Sequence, residues 1–155
     1  MKIRILAVGQ KMPAWVEAGV DEYLKRLPAD FRVSIEEVAL GSKSAGADVK
    51  KAQALESQAL LARLTGKEKV IALDVQGKSW SSETLARQAE GWRMEGRDLA
   101  LLIGGPDGLS ADCLARAEQR WSLSALTLPH PLVRVLLAEQ LYRAWTLMSG
   151  HPYHR

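Results

Sequence analysis

The sequence has a single cysteine, Cys113, among its 155 residues. One cysteine excludes an internal disulfide and any zinc site built from several cysteines, and it is typical of a reducing compartment. Long apolar runs are also missing: the longest, near Leu99 and Leu126, fall far short of the ~20 residues that a membrane-spanning helix needs. The apolar run from Ile3 to Val8 is too short for the core of a secretory signal. We therefore expect a cytoplasmic protein that does not contact membranes.

Two common phosphate-binding motifs are absent. No G-x-G-x-x-G opens a helix, and no G-x-x-x-x-G-K-[ST] occurs, so neither the dinucleotide fingerprint nor the phosphate loop is present. Charge is nearly balanced, with 21 Lys and Arg against 18 Asp and Glu, a net charge of +3. Such a mild excess fits proteins with and without a nucleic-acid partner. The stronger indication of nucleic acid is local: Lys43, Lys50 and Lys51 lie close together, and the chain closes with His-Pro-Tyr-His-Arg.

Apolar runs alternate with helical patterns along the whole chain. Strands are predicted at Ile3–Val8, Phe31–Ile35, Val70–Val75, Leu99–Ile103 and Leu123–Leu128, each followed by a helix. This order predicts one α/β domain over residues 1–155, with a mostly parallel sheet, right-handed crossovers and helices on both faces. The length suits a single core.

Several finer features follow from local patterns. Arg32 and Ser34 alternate with apolar residues, which places the second strand near a sheet edge. The loop Gly41–Gly46 is either a solvated connection or a binding segment. Asp48 is a candidate N-cap for a helix with an apolar face through Val49, Ala52, Leu55, Ala59 and Ala62. Gly77 to Trp80 is predicted as an exit loop, and the helix from about Ser82 ends at Gly96. Ser110 can cap a helix that runs to about Arg120, and the last helix is predicted to end at Gly150.

Two strand–loop–helix segments come in succession, Leu101–Ser110 and Trp121–Trp145. In open α/β sheets, ligands bind in the crevice beyond the carboxyl ends of the strands, so these loops are the predicted site. The glycines in Gly104-Gly105-Pro106-Asp107-Gly108 indicate either a tight turn or a backbone left bare for a ligand. Only Ser124 and Thr127 are polar in the second segment's Leu123–Leu128. Main-chain groups and apolar walls suit an adenine or a thioether better than a phosphate.

The three histidines, His130, His151 and His154, all lie in the last quarter of the chain. Each could be structural, and no acidic residue accompanies them at metal-ligand spacing, so we expect no metal. A G-x-S-x-G elbow is absent, which argues against a Ser-His-Asp triad. Tyr153, His154 and Arg155 nevertheless combine a phenol, an imidazole and a guanidinium, which suits proton transfer and contact with a base or phosphate. A terminal segment needs something to immobilise it, and the partner subunit of a dimer is one candidate.

The final helix is apolar on more than one side, with Leu132, Val133, Leu136, Leu141 and Trp145 among its residues. A helix that is apolar nearly all round is covered on more than one side. Two interpretations stay open: a second subunit covers it, or it is a central core helix.

Four motifs carry a resemblance to a known family: MPAWVEAGVDEYLKRLP, LLIGGPDGLS, WSLSALTLPHPLVRVLLAEQLYRAW and the closing HPYHR. With them the chain closely resembles, from end to end, the RlmH family of small SPOUT-type methyltransferases that act on bacterial large-subunit ribosomal RNA. The resemblance implies a C-terminal trefoil knot, S-adenosylmethionine as cofactor, and a homodimer. It also implies methylation of N3 of a pseudouridine in 23S ribosomal RNA within the assembled ribosome.

The family's cofactor contacts fall on Leu73, Gly104, Leu123, Ser124, Ala125, Leu126, Thr127 and Leu128. For removal of the N3 proton, the candidates are Tyr153 and His154, with Arg155 placing the RNA backbone or stabilising the anionic base. Two alternatives remain at this point: a SPOUT enzyme with a different RNA substrate, and a ribosome-binding factor without catalysis.

Overall fold

The computed structural model describes residues 1–41 and 48–154. Most of the Gly41–Gly46 loop, with Lys43, and the terminal Arg155 lie outside the described residues. The strands are β1 (Lys2–Val8), β2 (Arg32–Val38), β3 (Lys69–Ser79), β4 (Leu99–Ile103) and β5 (Gln119–Ser122). The α-helices are α1 (Ala14–Leu24), α2 (Val49–Ala62), α3 (Ser82–Glu95), α4 (Ala111–Arg116) and α5 (His130–Ser149). Short 3-10 helices cover Ala29–Phe31 and Pro152–His154.

The strands form one parallel sheet in the order β2-β1-β4-β3-β5. All five residues of the central strand β4 are buried, as expected for a parallel strand covered on both faces. The predicted edge position of the second strand is confirmed. The predicted α/β fold with a mostly parallel sheet is confirmed as well, and the arrangement agrees with a SPOUT fold. The trefoil knot itself stays a prediction.

Helices cover both faces of the sheet because successive residues of a strand point to opposite sides. On one face, Ile5 and Leu101 pack with Trp92 of α3 and Leu137 of α5. On the other face, Leu6, Val8, Ala100 and Leu102 form a second cluster with Leu60 of α2 and Cys113 of α4. Burying each such large apolar side chain contributes about 1.5–3 kcal/mol, so the two clusters fix the sheet between its helical layers.

The predicted fifth strand at Leu123–Leu128 was wrong. The strand is Gln119–Ser122, and the preceding helix ends at Arg116 instead of continuing to Arg120. Serines explain the early end of the strand: Ser122 Oγ donates to the carbonyl of Ser124, and Ser124 Oγ accepts from the N–H of Leu126. Such local side-chain-to-backbone bonds compete with a strand ladder. Leu123–Leu128 is consequently a loop.

The predicted exit loop from Gly77 to Trp80 was also wrong, because β3 continues to Ser79. Its second part pairs with β5, with Lys78 opposite Trp121 and an irregularity between Leu73 and Lys78. Gly77 permits this pairing: a Cβ there would lie only 2.6 Å from the carbonyl carbon of Arg120. This irregularity, the bulge of β3, redirects the side chains between Leu73 and Lys78 next to β5, the edge strand of the sheet.

The helix α2 begins as predicted, since the Asp48 side chain accepts from the N–H of Lys50 at 2.9 Å. Its predicted apolar face was wrong. Val49 and Leu55 are 55% and 48% exposed, whereas Glu56, Ser57 and Leu60 are buried. Two of the buried polar atoms have partners in loops: Glu56 Oε2 accepts from Gly41 N, and Ser57 Oγ accepts from Ser110 N. Hydrogen bonds to two loops therefore set the orientation of the helix.

The remaining helix predictions are confirmed. Helix α3 spans Ser82–Glu95, and Gly96 ends it with a left-handed φ of 72°. Gly150 ends α5 in the same way, with a φ of 73°. Ser110 caps α4 by accepting from Cys113 N. Among the described residues, none of the helices has the length and apolar character needed to cross a bilayer.

Candidate cofactor cleft and C-terminal tail

A cleft of about 510 Å³ opens beside the bulge of β3 and the carboxyl ends of β4 and β5. Leu73 of β3, Ile103 of β4 and Trp121 of β5 line it, together with the loops that follow these strands. Helix α5 closes the cleft with His130 and Val133. Both the position and the volume are typical of small-molecule sites in α/β proteins.

The structure brings most of the predicted cofactor residues together around this cleft. Those that line it are Leu73, Gly104, Leu123, Ser124, Leu126 and Leu128. Ala125 and Thr127 do not line it, and both are exposed.

The glycine loop after β4 is a tight turn and a cleft wall at once. A Cβ on Gly104 would lie 2.6 Å from the carbonyl carbon of Gly108, so a side chain at Gly104 would meet the loop's own backbone. Gly108 has a left-handed φ of 75°, and its N–H donates to the Gly105 carbonyl at 3.0 Å. From α2, Gln53 Nε2 donates to the carbonyl of Asp107 at 2.8 Å. The tight-turn interpretation of the glycines is therefore confirmed, and the ligand-binding interpretation stays a prediction.

Four ionisable side chains also line the cleft: Asp74, Asp107, Arg120 and His130. None of them was predicted from the sequence as a ligand contact. A signal was available, since Asp74 and Arg120 lie in strands next to the cleft, Asp107 lies in the glycine loop, and His130 begins the last helix. Asp74 and Asp107 offer negative charge to a cofactor that carries positive charge, and Arg120 adds one positive charge to the cleft lining.

His130 lies where the cleft meets a buried ion pair. One turn along α5, Arg134 is 2% exposed, pairs with Glu37 and donates to the Gly9 carbonyl at 2.8 Å. Burial lowers the pKa of His130, and the charge of Arg134 lowers it further, while Glu56 opposes the shift. The imidazole at the cleft is thus neutral near pH 7, and its Nδ1 is enclosed without a hydrogen-bond partner in the described part of the chain.

The C-terminal tail, residues 150–154, folds back on its own helix. Tyr153 Oη donates to Glu139 Oε2 at 2.9 Å, and its ring lies 4.7 Å from that of Tyr142. The guanidinium of Arg143 sits over the same ring at 5.1 Å, and the His151 N–H donates to the Thr146 carbonyl at 2.9 Å. Contacts within one subunit therefore hold the tail in this structure, and the partner subunit as its support stays a prediction.

Tyr153 is poorly suited to accept a proton. Burial raises its pKa to about 12, and its hydrogen bond to the negatively charged Glu139 adds to the shift. His154 is half-buried, and its Nδ1 is enclosed without a partner among the described residues. Arg155 lies outside the described residues.

The tail and the cleft lie at opposite ends of α5. His130, the first residue of α5, lines the cleft, and the tail follows Ser149, the last. A helix of 20 residues is about 30 Å long. Neither Tyr153 nor His154 lines the cleft. One subunit therefore holds the two predicted parts of the site far apart.

Within residues 1–41 and 48–154, no group of three or more His, Cys, Asp or Glu side chains is arranged to hold a metal ion. The side chains around the cleft instead combine apolar walls, carboxylates and bare backbone.

Comparison with known proteins identifies the family. Residues 1–154 match the family described as "Predicted SPOUT methyltransferase". A protein named Ribosomal RNA large subunit methyltransferase H from Chromohalobacter salexigens is 65% identical over 155 residues, covering 100% of both chains. A protein of the same name from Hahella chejuensis is 57% identical over 100% of this chain and 99% of its own.

Among solved structures, a probable methylase family protein from Haemophilus influenzae Rd KW20 matches with a TM-score of 0.58 at 12% identity. The match covers 99% of this chain and 70% of that one, and at this identity it supports the fold alone. The family model matches residues 1–154, and the relatives are similar over the full length of the chain. The chain therefore belongs to the SPOUT methyltransferase family.

Proposed function

We propose that this protein transfers a methyl group from S-adenosylmethionine to N3 of a pseudouridine in 23S ribosomal RNA of the assembled ribosome. Membership of a methyltransferase family and the name shared by its full-length relatives support the reaction and the class of RNA. The observation that carries the proposal is the cleft beside the bulge of β3 and the carboxyl ends of β4 and β5, where residues expected to bind the cofactor meet.

The cleft suits S-adenosylmethionine chemically. Leu123, Leu126 and Leu128 give apolar walls for an adenine, while Asp74 and Asp107 offer negative charge to a cation. When bound, this cofactor supplies a methyl group on a positively charged sulfur. The loops after β4 and β5 are braced by Gln53 and Ser124, so their main-chain groups hold fixed positions toward a ligand.

The tail supplies the groups for handling the N3 proton. Since the pKa of Tyr153 is about 12, we assign the proton acceptor to His154 and give Tyr153 the role of holding the tail and donating a hydrogen bond. His154 would take the proton from N3 onto an imidazole nitrogen as the new N–CH3 bond forms, and the methyl–sulfur bond would break to leave a neutral thioether as the leaving group. Arg155 is assigned to the anionic base or a neighbouring phosphate.

We further propose a homodimer in which the tail of one subunit completes the cleft of the other. Helix α5 packs against both α1 and α3, so much of its apolar surface is already covered within one subunit. The support for a dimer is therefore the distance of about 30 Å between the cleft and the tail of one subunit, measured along α5. In a dimer, the tail of the partner could lie next to the cleft instead. Leu126 is 71% exposed at the cleft, which leaves apolar surface for a partner to cover.

Nucleoside analysis by mass spectrometry tests the proposal. Ribosomes from a strain that lacks this gene are incubated with the purified protein and S-adenosylmethionine, beside free 23S RNA. We expect N3-methylpseudouridine in the ribosomes and far less in the free RNA. A methylated nucleoside of another kind would indicate a different RNA substrate. Failure of calorimetry to detect cofactor binding would indicate a non-catalytic ribosome-binding factor.

A further inference from the structure

The bulge of β3 creates a second cavity beside the cofactor cleft. Opposite Trp121, the register of β3 jumps from Leu73 to Lys78, so the intervening residues project from the ladder. A cavity of about 370 Å³ results, lined by Gln76, Lys78 and Arg120 among others. Gln76 and Arg120 also line the cofactor cleft, so the two spaces share a rim.

The cavity carries an excess of positive charge. Lys78 and Arg120 are exposed, and neither has a carboxylate within ion-pair distance among residues 1–41 and 48–154. The acid in this cavity, Glu118, is held by Arg97 through contacts of 2.8 and 3.1 Å, which lower the pKa of its carboxyl. Its charge is therefore already balanced, and two cations remain without a protein partner.

Seven of the eleven arginines in the described residues form ion pairs: Arg4, Arg26, Arg63, Arg93, Arg97, Arg134 and Arg143. Four of these described arginines do not: Arg32, Arg87, Arg116 and Arg120. Of these four, Arg120 is the one that lines the cofactor cleft, and it stands on β5, the outermost strand of the sheet at this side.

The backbone beneath the cations is rigid. Gly77 packs directly on the backbone of Arg120, and the ring of Trp80 stacks on that of Trp121 at 4.9 Å with an angle of 22°. Trp80 lines the same cavity. Lys78 and Arg120 thus project from a fixed base at the mouth of the cleft, where anionic groups of a substrate would pass.

We propose that Lys78 and Arg120 form a phosphate-binding rim that anchors the ribosomal RNA backbone next to the nucleotide being methylated. Phosphate contacts position an RNA without reading its sequence, and each one releases counterions, so binding through this rim depends on salt. This inference rests on the proposed function, because the rim would bind the RNA that the proposed reaction methylates.

Steady-state methylation of ribosomes by Lys78→Ala and Arg120→Ala tests the rim. We expect each variant to raise KM for ribosomes by about five- to tenfold at ~0.1 M salt, with kcat within about twofold of wild type. The slope of log KM against log salt should fall by roughly one for each cation removed. Affinity for S-adenosylmethionine should stay unchanged in Lys78→Ala, because Lys78 does not line the cofactor cleft.

Two control variants remove the same types of side chain at exposed positions away from the cavity. Arg32→Ala removes an exposed arginine from β2, the opposite edge of the sheet, and Lys67→Ala removes an exposed lysine before β3. Both should retain the wild-type KM and salt slope.

The rim is overturned if Lys78→Ala and Arg120→Ala behave like these controls, or if they lower kcat without changing KM. It is also overturned if either variant dissociates a dimer in sedimentation, because the cations would then belong to a subunit interface. Failure of the proposed function looks different: the wild-type protein itself would not methylate ribosomes.

Discussion

A tail that serves only the partner subunit predicts complementation between two inactive variants. One variant lacks Tyr153, His154 and Arg155. The other carries Leu126→Arg, which places a cation on the wall of the cofactor cleft at a side chain that is 71% exposed. The first keeps an intact cleft, and the second keeps an intact tail.

The distances in one subunit rule out a tail that reaches its own cleft. Helix α5 separates them by about 30 Å, whereas residues 150–154 span roughly 17 Å even when fully extended. A tail acting on its own cleft would have to unwind the end of α5 and lose the contacts of Tyr153 with Glu139 and Tyr142. A tail acting on the partner needs no such unfolding.

The expected activity follows from random pairing. About half of the dimers in an equal mixture are mixed, and one of the two sites in each is complete, so about a quarter of wild-type activity should return. Methyl incorporation into ribosomes is measured after the subunits have been exchanged and heterodimers confirmed by native mass spectrometry. Each variant alone should be inactive.

Met94→Arg is the matched control for Leu126→Arg, because Met94 is 81% exposed on α3, away from the cleft. It should stay active without any mixing. Heterodimers that show no activity would refute the shared site, and full activity of the truncated protein alone would remove the tail from catalysis.

Long elements of the fold could be predicted because their signals are local. The apolar run Leu99–Ile103 fixes β4, and Gly96 and Gly150 end their helices through a left-handed φ that other residues rarely adopt. The same holds for the crevice, since the order of strands and helices already places ligands at the carboxyl ends of a parallel sheet.

The errors arose where long-range pairing decides the structure. β3 extends to Ser79 only because β5 lies beside its second half, and no local pattern shows that neighbour. Helix α2 turns Glu56 inward because Gly41 donates to it. Both partners are distant in sequence, so periodicity alone selected the wrong face and the wrong strand end.

The candidate site was predicted in pieces but not as an arrangement. The resemblance to the family pointed to the residues of the cleft wall and to the tail. The sequence did not show that Tyr153 donates a hydrogen bond to Glu139, or that α5 holds the tail away from the cleft. Arg120 and Lys78 were missed because they come together only where the second half of β3 pairs with β5.

Two further predictions test the loop and the tail separately. Gly104→Ala should destabilise the fold by a few kcal/mol and abolish cofactor binding, because its Cβ would meet the Gly108 backbone at 2.6 Å. The control Gly91→Ala lies in α3 with open space around it and should stabilise by about 0.5–1 kcal/mol in the same thermal unfolding assay. The docking of Tyr153 on α5 should depend on pH only in alkaline solution. The pKa of Tyr153 is about 12 in the folded protein, against an ordinary value of 10.0. Its docking therefore contributes fully below pH 10 and is lost as the pH rises through 12. Glu139→Gln keeps a hydrogen-bond acceptor but removes the negative charge. The pKa of Tyr153 should therefore shift from about 12 toward 10, without reaching it, because the ring remains buried. Subtracting the spectrum of Tyr153→Phe isolates the phenolate titration of Tyr153. A titration that is unchanged by Glu139→Gln would show that Tyr153 does not dock on α5 in solution.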